Sequence, residues 1–146
     1  MYLVDTNVII GILRNKEEFI NKYKYISEKS QPIYLTTYSL SEIYVGFYDQ
    51  DFKKKYPKKL KLQKELFNRM VKKLEHQNRI LSLSVDDAKI LGNLFHLLRV
   101  NGKPIPIIDA LIGAIAISRN LTVITSDKAH FNVIKEINKQ FKVIYW

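Results

Sequence analysis

The chain has 146 residues, 47% of them hydrophobic, with no cysteine and a formal net charge of +10. A chain of this length buries a sizeable core, and with no Ser/Gly/Pro-rich linker to divide it the expectation is a single domain over residues 1–146. Without cysteine, disulfides and thiolate metal sites are excluded, and the positive excess points either to a polyanionic partner or to a lysine-rich solvated surface.

Short β-rich runs alternate with longer helical patterns. In chain order the strands are expected at Tyr2–Val4, Ile33–Thr36, Ile80–Leu83, Leu121–Thr125 and Lys142–Tyr145. The helices are expected at Val8–Leu13, Glu17–Glu28, Tyr38–Tyr48, Lys58–Gln77, Asp86–Val100 and Asp109–Arg119. Such alternation predicts a three-layer α/β/α sandwich around a central, mainly parallel sheet of about five strands, with right-handed crossovers. The start, Met1–Ile10, contains Asp5 and no basic leader, and the longest apolar stretch, Pro104–Ile117, contains Asp109 and is too short to span a bilayer. The reading is a soluble, cytoplasmic protein that does not enter membranes.

In a doubly wound sheet, function gathers at the carboxyl ends of the strands. Four acids stand near such positions, and each also has a plainer explanation. Asp5 interrupts Tyr2-Leu3-Val4-Asp5-Thr6-Asn7-Val8 and would cap the helix that follows. Glu42 has capping-box spacing from Ser39 and points away from the stripe Leu40, Ile43, Tyr44, Phe47. Asp109 opens an all-apolar helix in which Ala110, Gly113, Ala114 and Ala116 permit close packing against the sheet. Asp127 follows Leu121-Thr122-Val123-Ile124-Thr125-Ser126, where turn chemistry suffices. Brought into one crevice, the four would repel one another and raise each other's pKa, and a hard divalent cation would relieve that. Oxygen ligands without Cys or clustered His favour Mg²⁺ or Mn²⁺. His76, His96 and His130 read as dispersed, without ligand spacing.

Val4-Asp5-Thr6-Asn7, Ser41-Glu42-Ile43-Tyr44-Val45-Gly46, Pro106-Ile107-Ile108-Asp109-Ala110-Leu111-Ile112-Gly113-Ala114 and Thr125-Ser126-Asp127-Lys128-Ala129-His130-Phe131 resemble, in order, the four acidic motifs of PIN-domain nucleases. Length and spacing look most like the VapC-type toxins. The resemblance covers essentially the whole chain. It implies a Mg²⁺/Mn²⁺ site, RNA hydrolysis, homodimerisation and inhibition by a cognate antitoxin. By carry-over, Asp5, Glu42, Asp109 and Asp127 match the catalytic quartet. Asp5 and Asp109 would hold a first ion, Asp127 would complete that site or hold a second, and Glu42 would orient or deprotonate the attacking water. Thr6, Asn7 and Thr125 match the polar positions around the metal.

The run Lys53-Lys54-Lys55-Tyr56-Pro57-Lys58-Lys59 could contact RNA phosphates or an acidic antitoxin segment, with Tyr56 available to stack on a base. Its plainer explanation is a solvated loop and a lysine-rich helix start, which like charge at a helix N-terminus disfavours. The helix Tyr38–Tyr48 is apolar on several sides, and a subunit contact through Tyr44 or Phe47 is expected. Asp86 and Asp87 read as caps, and Tyr145 and Trp146 as anchors of the last strand. Rival readings are a PIN nuclease of RNA maturation, a non-catalytic PIN-like RNA-binding module, and a phosphohydrolase with a strand-end nucleophile. The last would need a second acid where Asn7 stands.

Overall fold

The structure, a computed structural model, describes residues 1–29 and 31–146, Phe52 in its backbone only. In chain order its elements are β1 (Tyr2–Val4), α1 (Thr6–Leu13), α2 (Glu17–Glu28), β2 (Ile33–Thr36), α3 (Thr37–Tyr48), α4 (Gln50–Lys55), α5 (Pro57–His76), β3 (Ile80–Leu81), α6 (Val85–Val100), α7 (Ile107–Ser118), β4 (Thr122–Thr125), α8 (Lys128–Ile137) and β5 (Lys142–Tyr145). The strands form one sheet in the order β3-β2-β1-β4-β5, every pairing parallel. The three-layer α/β/α sandwich expected from the alternation is therefore the fold.

Side chains of successive strand residues leave a sheet on opposite faces, and two apolar layers result. Val4 and Ile124 face Val8, Ile9, Phe19, Ile43, Phe47 and Phe67 from α1, α2, α3 and α5. Leu3 and Val123 face Leu94, Leu98, Ile112, Ile115, Phe131 and Ile134 from α6, α7 and α8. Gly113 shows how tightly the second layer is built: a Cβ there would lie 2.7 Å from Ile134 Cδ1.

The chain leaves β1 toward β2 and β3, then returns to the other side of β1 for β4 and β5. The strand order thus reverses between β1 and β4, paired from Tyr2–Thr122 through Val4–Ile124. Just beyond that pairing the Asp5 amide donates to the Ile124 carbonyl, 2.9 Å away. The crevice at this switch point is where a parallel α/β sheet presents its strand ends.

Several expected boundaries move, and the shifts matter for the site. α7 begins at Ile107 behind the N-cap Pro106, so Asp109 lies in the first turn rather than at the cap. α3 is capped by Thr36, whose hydroxyl accepts from the Ser39 amide, so Ser39 and Glu42 form no capping box. Among the described residues a capping box forms at Ser84 with Asp87, in line with the cap reading of Asp87. Asp87 is fully buried, and the Arg119 Nη2 donates to it at 2.5 Å and to the Ser82 carbonyl at 2.8 Å. Burial alone would raise the Asp87 pKa, but Arg119 and the Ser84 cap outweigh it and hold it down at about 2.

Two helices were not expected. α4 forms where a loop was read, and it ends ahead of Pro57, which starts α5 at its first position. Lys53, Lys54 and Lys55 consequently occupy the last turn of α4, where the helix dipole favours cations. Only Lys58 and Lys59 carry the unfavourable N-terminal placement. α8 is the other, capped by Asp127 and burying Phe131 and Ile134.

Tyr44 and Phe47 do not form an outward subunit surface. Phe47 is buried, and both rings pack edge-on against Phe67, at 5.3 Å for Tyr44 and 5.6 Å for Phe47. The large apolar residues of α3 that face outward are Val45 and Tyr48, 71% and 66% exposed. No helix among the described residues is long and apolar enough to cross a membrane.

Candidate functional site

Asp5 stands at the centre of the crevice because β1 ends and α1 begins there. Its backbone is extended, it caps α1, and its side chain is 4% exposed. Oδ1 accepts from the Thr6 amide at 2.7 Å and Oδ2 from the Thr125 hydroxyl at 2.7 Å. Burial raises its pKa to about 6; the bonds from Thr125 and Thr6 counter the rise, and the charges of Asp109 and Glu42 add to it.

Thr125, at the end of β4 and fully buried, is a junction. Its Oγ1 donates to Asp5 and accepts from Asn7 Nδ2 at 3.1 Å and from the Asp127 amide at 2.9 Å. Asn7 Oδ1 in turn accepts from the Ser126 amide at 3.1 Å. On the other side Thr6 Oγ1 donates to Glu42 Oε2 at 2.5 Å, which ties α1 to α3. Thr6, Asn7 and Thr125 thus all lie in the network around the acids.

Asp109, from the first turn of α7, and Asp127, from the cap of α8, complete the crevice. Burial raises the Asp109 pKa, the His130 side chain opposes that, and the charges of Asp127 and Glu42 reinforce it. Asp127 does cap its helix, accepting from the His130 amide at 3.1 Å. Its other oxygen, Oδ2, lies 2.8 Å from His130 Nδ1, and so does Asp109 Oδ2.

His130, which reads as dispersed in the sequence, stands in the crevice between Asp109 and Asp127. It lies three residues after Asp127 at the start of α8, and that spacing places both side chains on one side of the helix. With α8 unrecognised, the spacing carried no meaning. Nδ1 is buried and aligned for a hydrogen bond with neither carboxylate, so it is an orphaned polar atom between two acids. One ligand atom each from Asp109, Asp127 and His130 fall within 4.8 Å of one another, the tight donor group among the described residues. Asp5 and Glu42 are coupled to Asp109 by charge but stand outside that group. Mutually repelling carboxylates beside an unbonded imidazole nitrogen are a donor set suited to a divalent cation.

Next to Glu42 a cleft opens between α1, α3 and α5, with about 180 Å³ of accessible space, lined by Leu13, Arg14, Gly46, Asp49, Leu60 and Gln63 among others. Leu60 and Gln63 line it from the first two turns of α5, the helix whose first turn carries the exposed Lys58 and Lys59. Lys53, Lys54, Lys55 and Tyr56 are exposed as well, with Lys55 Nζ 5.4 Å from the centre of the Tyr56 ring.

A parallel α/β sandwich with clustered carboxylates at its switch point defines the class: an α/β protein with a candidate divalent-cation site. The PIN-domain profile matches residues 2–136, and the chain belongs to the PIN-domain family. No protein of curated function matches it in sequence. Among solved structures it is similar to a chain of the DNA-bound VapBC complex from Salmonella typhimurium, with 21% identity and a TM-score of 0.77 over 99% of this chain and 97% of that one. FitAcB from Neisseria gonorrhoeae matches with 25% identity and a TM-score of 0.70 over 99% and 96% of the two chains. VapBC-5 of Mycobacterium tuberculosis, a member of the VapBC family of toxin–antitoxin systems, matches with 23% identity and a TM-score of 0.71 over 99% and 97%.

Proposed function

We propose that this chain is a single PIN nuclease domain over residues 1–146 that hydrolyses RNA internally with the help of Mg²⁺ or Mn²⁺. We further propose that it is the toxin of a toxin–antitoxin pair, acting in the cytoplasm as a homodimer. The observation that carries the nuclease reading is the convergence of Asp5, Glu42, Asp109 and Asp127 on the β1–β4 switch point. A binder of polyanions gains nothing from clustered negative charge at its centre. The toxin assignment draws on the toxin–antitoxin complexes among its structural neighbours.

A divalent ion held by Asp109 and Asp127, with Asp5 beside them, would acidify a water and stabilise charge developing on the phosphate. The chain's own residues do the rest. Thr125 and Thr6 hold Asp5 at fixed orientation, as groups behind metal ligands do. Glu42, tethered by Thr6, offers the carboxylate that takes a proton from the attacking water. The water oxygen bonds to phosphorus as its proton passes to Glu42, the bond from phosphorus to the 3′ oxygen breaks, and that oxygen takes a proton from solvent, to which Glu42 later returns its own. The products are a 5′-phosphate and a 3′-hydroxyl. Lys53, Lys54, Lys55, Lys58 and Lys59 would hold phosphates of the strand entering along the cleft, and Tyr56 would stack on a base. The same basic surface suits an acidic segment of the antitoxin.

The test is digestion of end-labelled RNA with and without a chelator, followed by analysis of the fragment ends. Cleavage that stops on chelation, returns with Mg²⁺ or Mn²⁺ and leaves 5′-phosphates is expected. Full activity after rigorous chelation, or 2′,3′-cyclic phosphate ends, overturns the mechanism. Expression in bacterial cells tests the toxin role: growth arrest by this chain, absent for Asp109→Asn, is expected, and a short antitoxin-like frame beside the gene whose product relieves the arrest would complete the pair.

A further inference from the structure

We propose that His130 is itself a metal ligand, through Nδ1, and that the site is therefore a mixed nitrogen–oxygen centre that selects Mn²⁺ over Mg²⁺. The inference rests on the metal-dependent reading above and adds to it the identity of one ligand and of the ion.

The geometry is that of a ligand set rather than of an ion pair. Nδ1 lies 2.8 Å from Asp109 Oδ2 and 2.8 Å from Asp127 Oδ2, yet it is aligned with neither. An imidazole that served only to neutralise two carboxylates would aim its N–H at one of them, because an off-axis contact forfeits most of the bond. Adjacent ligands of an octahedral ion with bonds of about 2.1 Å sit about 3 Å apart. The two contacts of Nδ1 are close to that spacing. The ring is held by its own helix: Asp127 caps α8 and bonds to the His130 amide, which fixes both donors in the first turn.

The choice of ion follows from the donors. Both ions are served by carboxylate and water, but Mg²⁺ demands near-ideal octahedral oxygen geometry and dehydrates reluctantly, whereas the larger and softer Mn²⁺ exchanges a water for an imidazole nitrogen more readily. Ligation uses the neutral ring with its proton on Nε2, and His130 is 37% exposed at the side chain, so that edge of the ring has access to water.

The experiment measures binding and not turnover. Mn²⁺ and Mg²⁺ are titrated separately into metal-free protein by calorimetry, in wild type, His130→Asn and His130→Gln. The wild type should bind Mn²⁺ at least tenfold more tightly than Mg²⁺. Both variants should lose about tenfold or more in Mn²⁺ affinity while Mg²⁺ affinity changes less than threefold. Two variants guard against misfolding, and circular dichroism reports it; the backbone bond from the His130 amide to Asp127 survives either change. Pulsed electron paramagnetic resonance of the Mn²⁺-loaded wild type should show nitrogen coupling that disappears in both variants. Mn²⁺ binding without nitrogen coupling, or equal loss of both ions in the variants, overturns the proposal and leaves the metal-dependent nuclease intact. Absence of binding by either ion overturns both.

Discussion

The Thr125 hydroxyl donates to the Asp5 carboxylate across 2.7 Å, joining the end of β4 to the end of β1 between residues 120 positions apart. The same oxygen accepts from Asn7 and from the Asp127 amide, so it has no further capacity. Thr125→Val keeps the shape and removes all of this. It should lower stability by about 1–3 kcal/mol, the cost of leaving buried polar groups unpaired, and cut RNA cleavage by about 10- to 100-fold. Thr125→Ser should retain most of both. Equal losses in Val and Ser variants would mean that the methyl group, not the hydroxyl, is what matters there.

Asp5 makes the metal-free protein less stable as pH rises. Its pKa is raised in the fold to about 6 from 3.8, so the folded state binds the extra proton between those values. The contribution of Asp5 is greatest below pH 4, declines toward pH 6 and stays low above it, a loss of about 3 kcal/mol by linkage. Asp5→Asn should remove this slope and stabilise the metal-free protein near pH 7 by about 1 kcal/mol, less than the full amount because the new amide faces a Thr125 oxygen already saturated. Cleavage should be lost. Denaturant midpoints at pH 4 and 7 with chelator present measure it, and an unfolded variant would make Asp5 a structural cap first.

Asp87 has the opposite sign. Its pKa is depressed to about 2 against 3.8 unfolded, so its contribution is present above pH 4 and lost as pH falls through 2. The depression is worth about 2–3 kcal/mol. Asp87→Asn leaves Arg119 without its carboxylate and should cost about 3 kcal/mol at pH 7, with metal affinity unchanged, since Asp87 lies outside the acidic crevice. A stability loss that persisted undiminished at pH 2 would remove the ion pair as its cause.

What the sequence could and could not disclose follows from local physics. Asp5 and Asp127 were placed correctly because β-branched and aromatic runs end at them, and strand ends are well marked in a parallel sheet. Asp109 was misplaced by two residues because Ile107 and Ile108 look like linker ahead of an acidic start, and Pro106 gives no side-chain cap to betray the earlier one. Glu42 was paired with the wrong partner because Thr36 and Ser39 both satisfy capping preferences, and only the end of β2 decides between them. His130 was missed with its helix, although Phe131, Ile134 and Ile137 carry a helical stripe after an Asp cap. The facing of Tyr44 and Phe47 was not legible, because α3 is apolar on several sides and periodicity cannot choose among them.

The proposed homodimer should be held by Val45 and Tyr48, the outward apolar residues of α3. Val45→Glu and Tyr48→Asp should shift sedimentation at micromolar concentration toward monomer with little change in thermal stability of the fold. Phe47→Ala should instead cost about 3–5 kcal/mol of folding stability, as loss of a buried ring does, without selectively weakening assembly. A wild type that sediments as a monomer at high micromolar concentration would exclude the dimer outright.

The lysines on either side of Pro57 give the last prediction, because charge and catalysis can be separated there. Lys53 and Lys54 lie in the last turn of α4, Lys58 and Lys59 in the first turn of α5, and all four are exposed. None belongs to the acidic crevice, so replacing all four with Ala should leave metal affinity unchanged. Removing cations from the first turn of α5 relieves an unfavourable dipole interaction, while removing them from the last turn of α4 forfeits a favourable one, so the net effect on stability should be below about 1 kcal/mol. RNA binding should respond differently. Each phosphate contact releases about 0.7 counterion from a single strand, so losing four contacts should flatten the slope of log affinity against log salt by up to about 3. Affinity at low salt should fall with it, and the cleavage rate at saturating RNA should change little, because the crevice is intact. A slope equal to that of the wild type would take these lysines out of the RNA path. Binding assays with an acidic peptide at the same salt concentrations would then decide whether an acidic protein segment is what they meet.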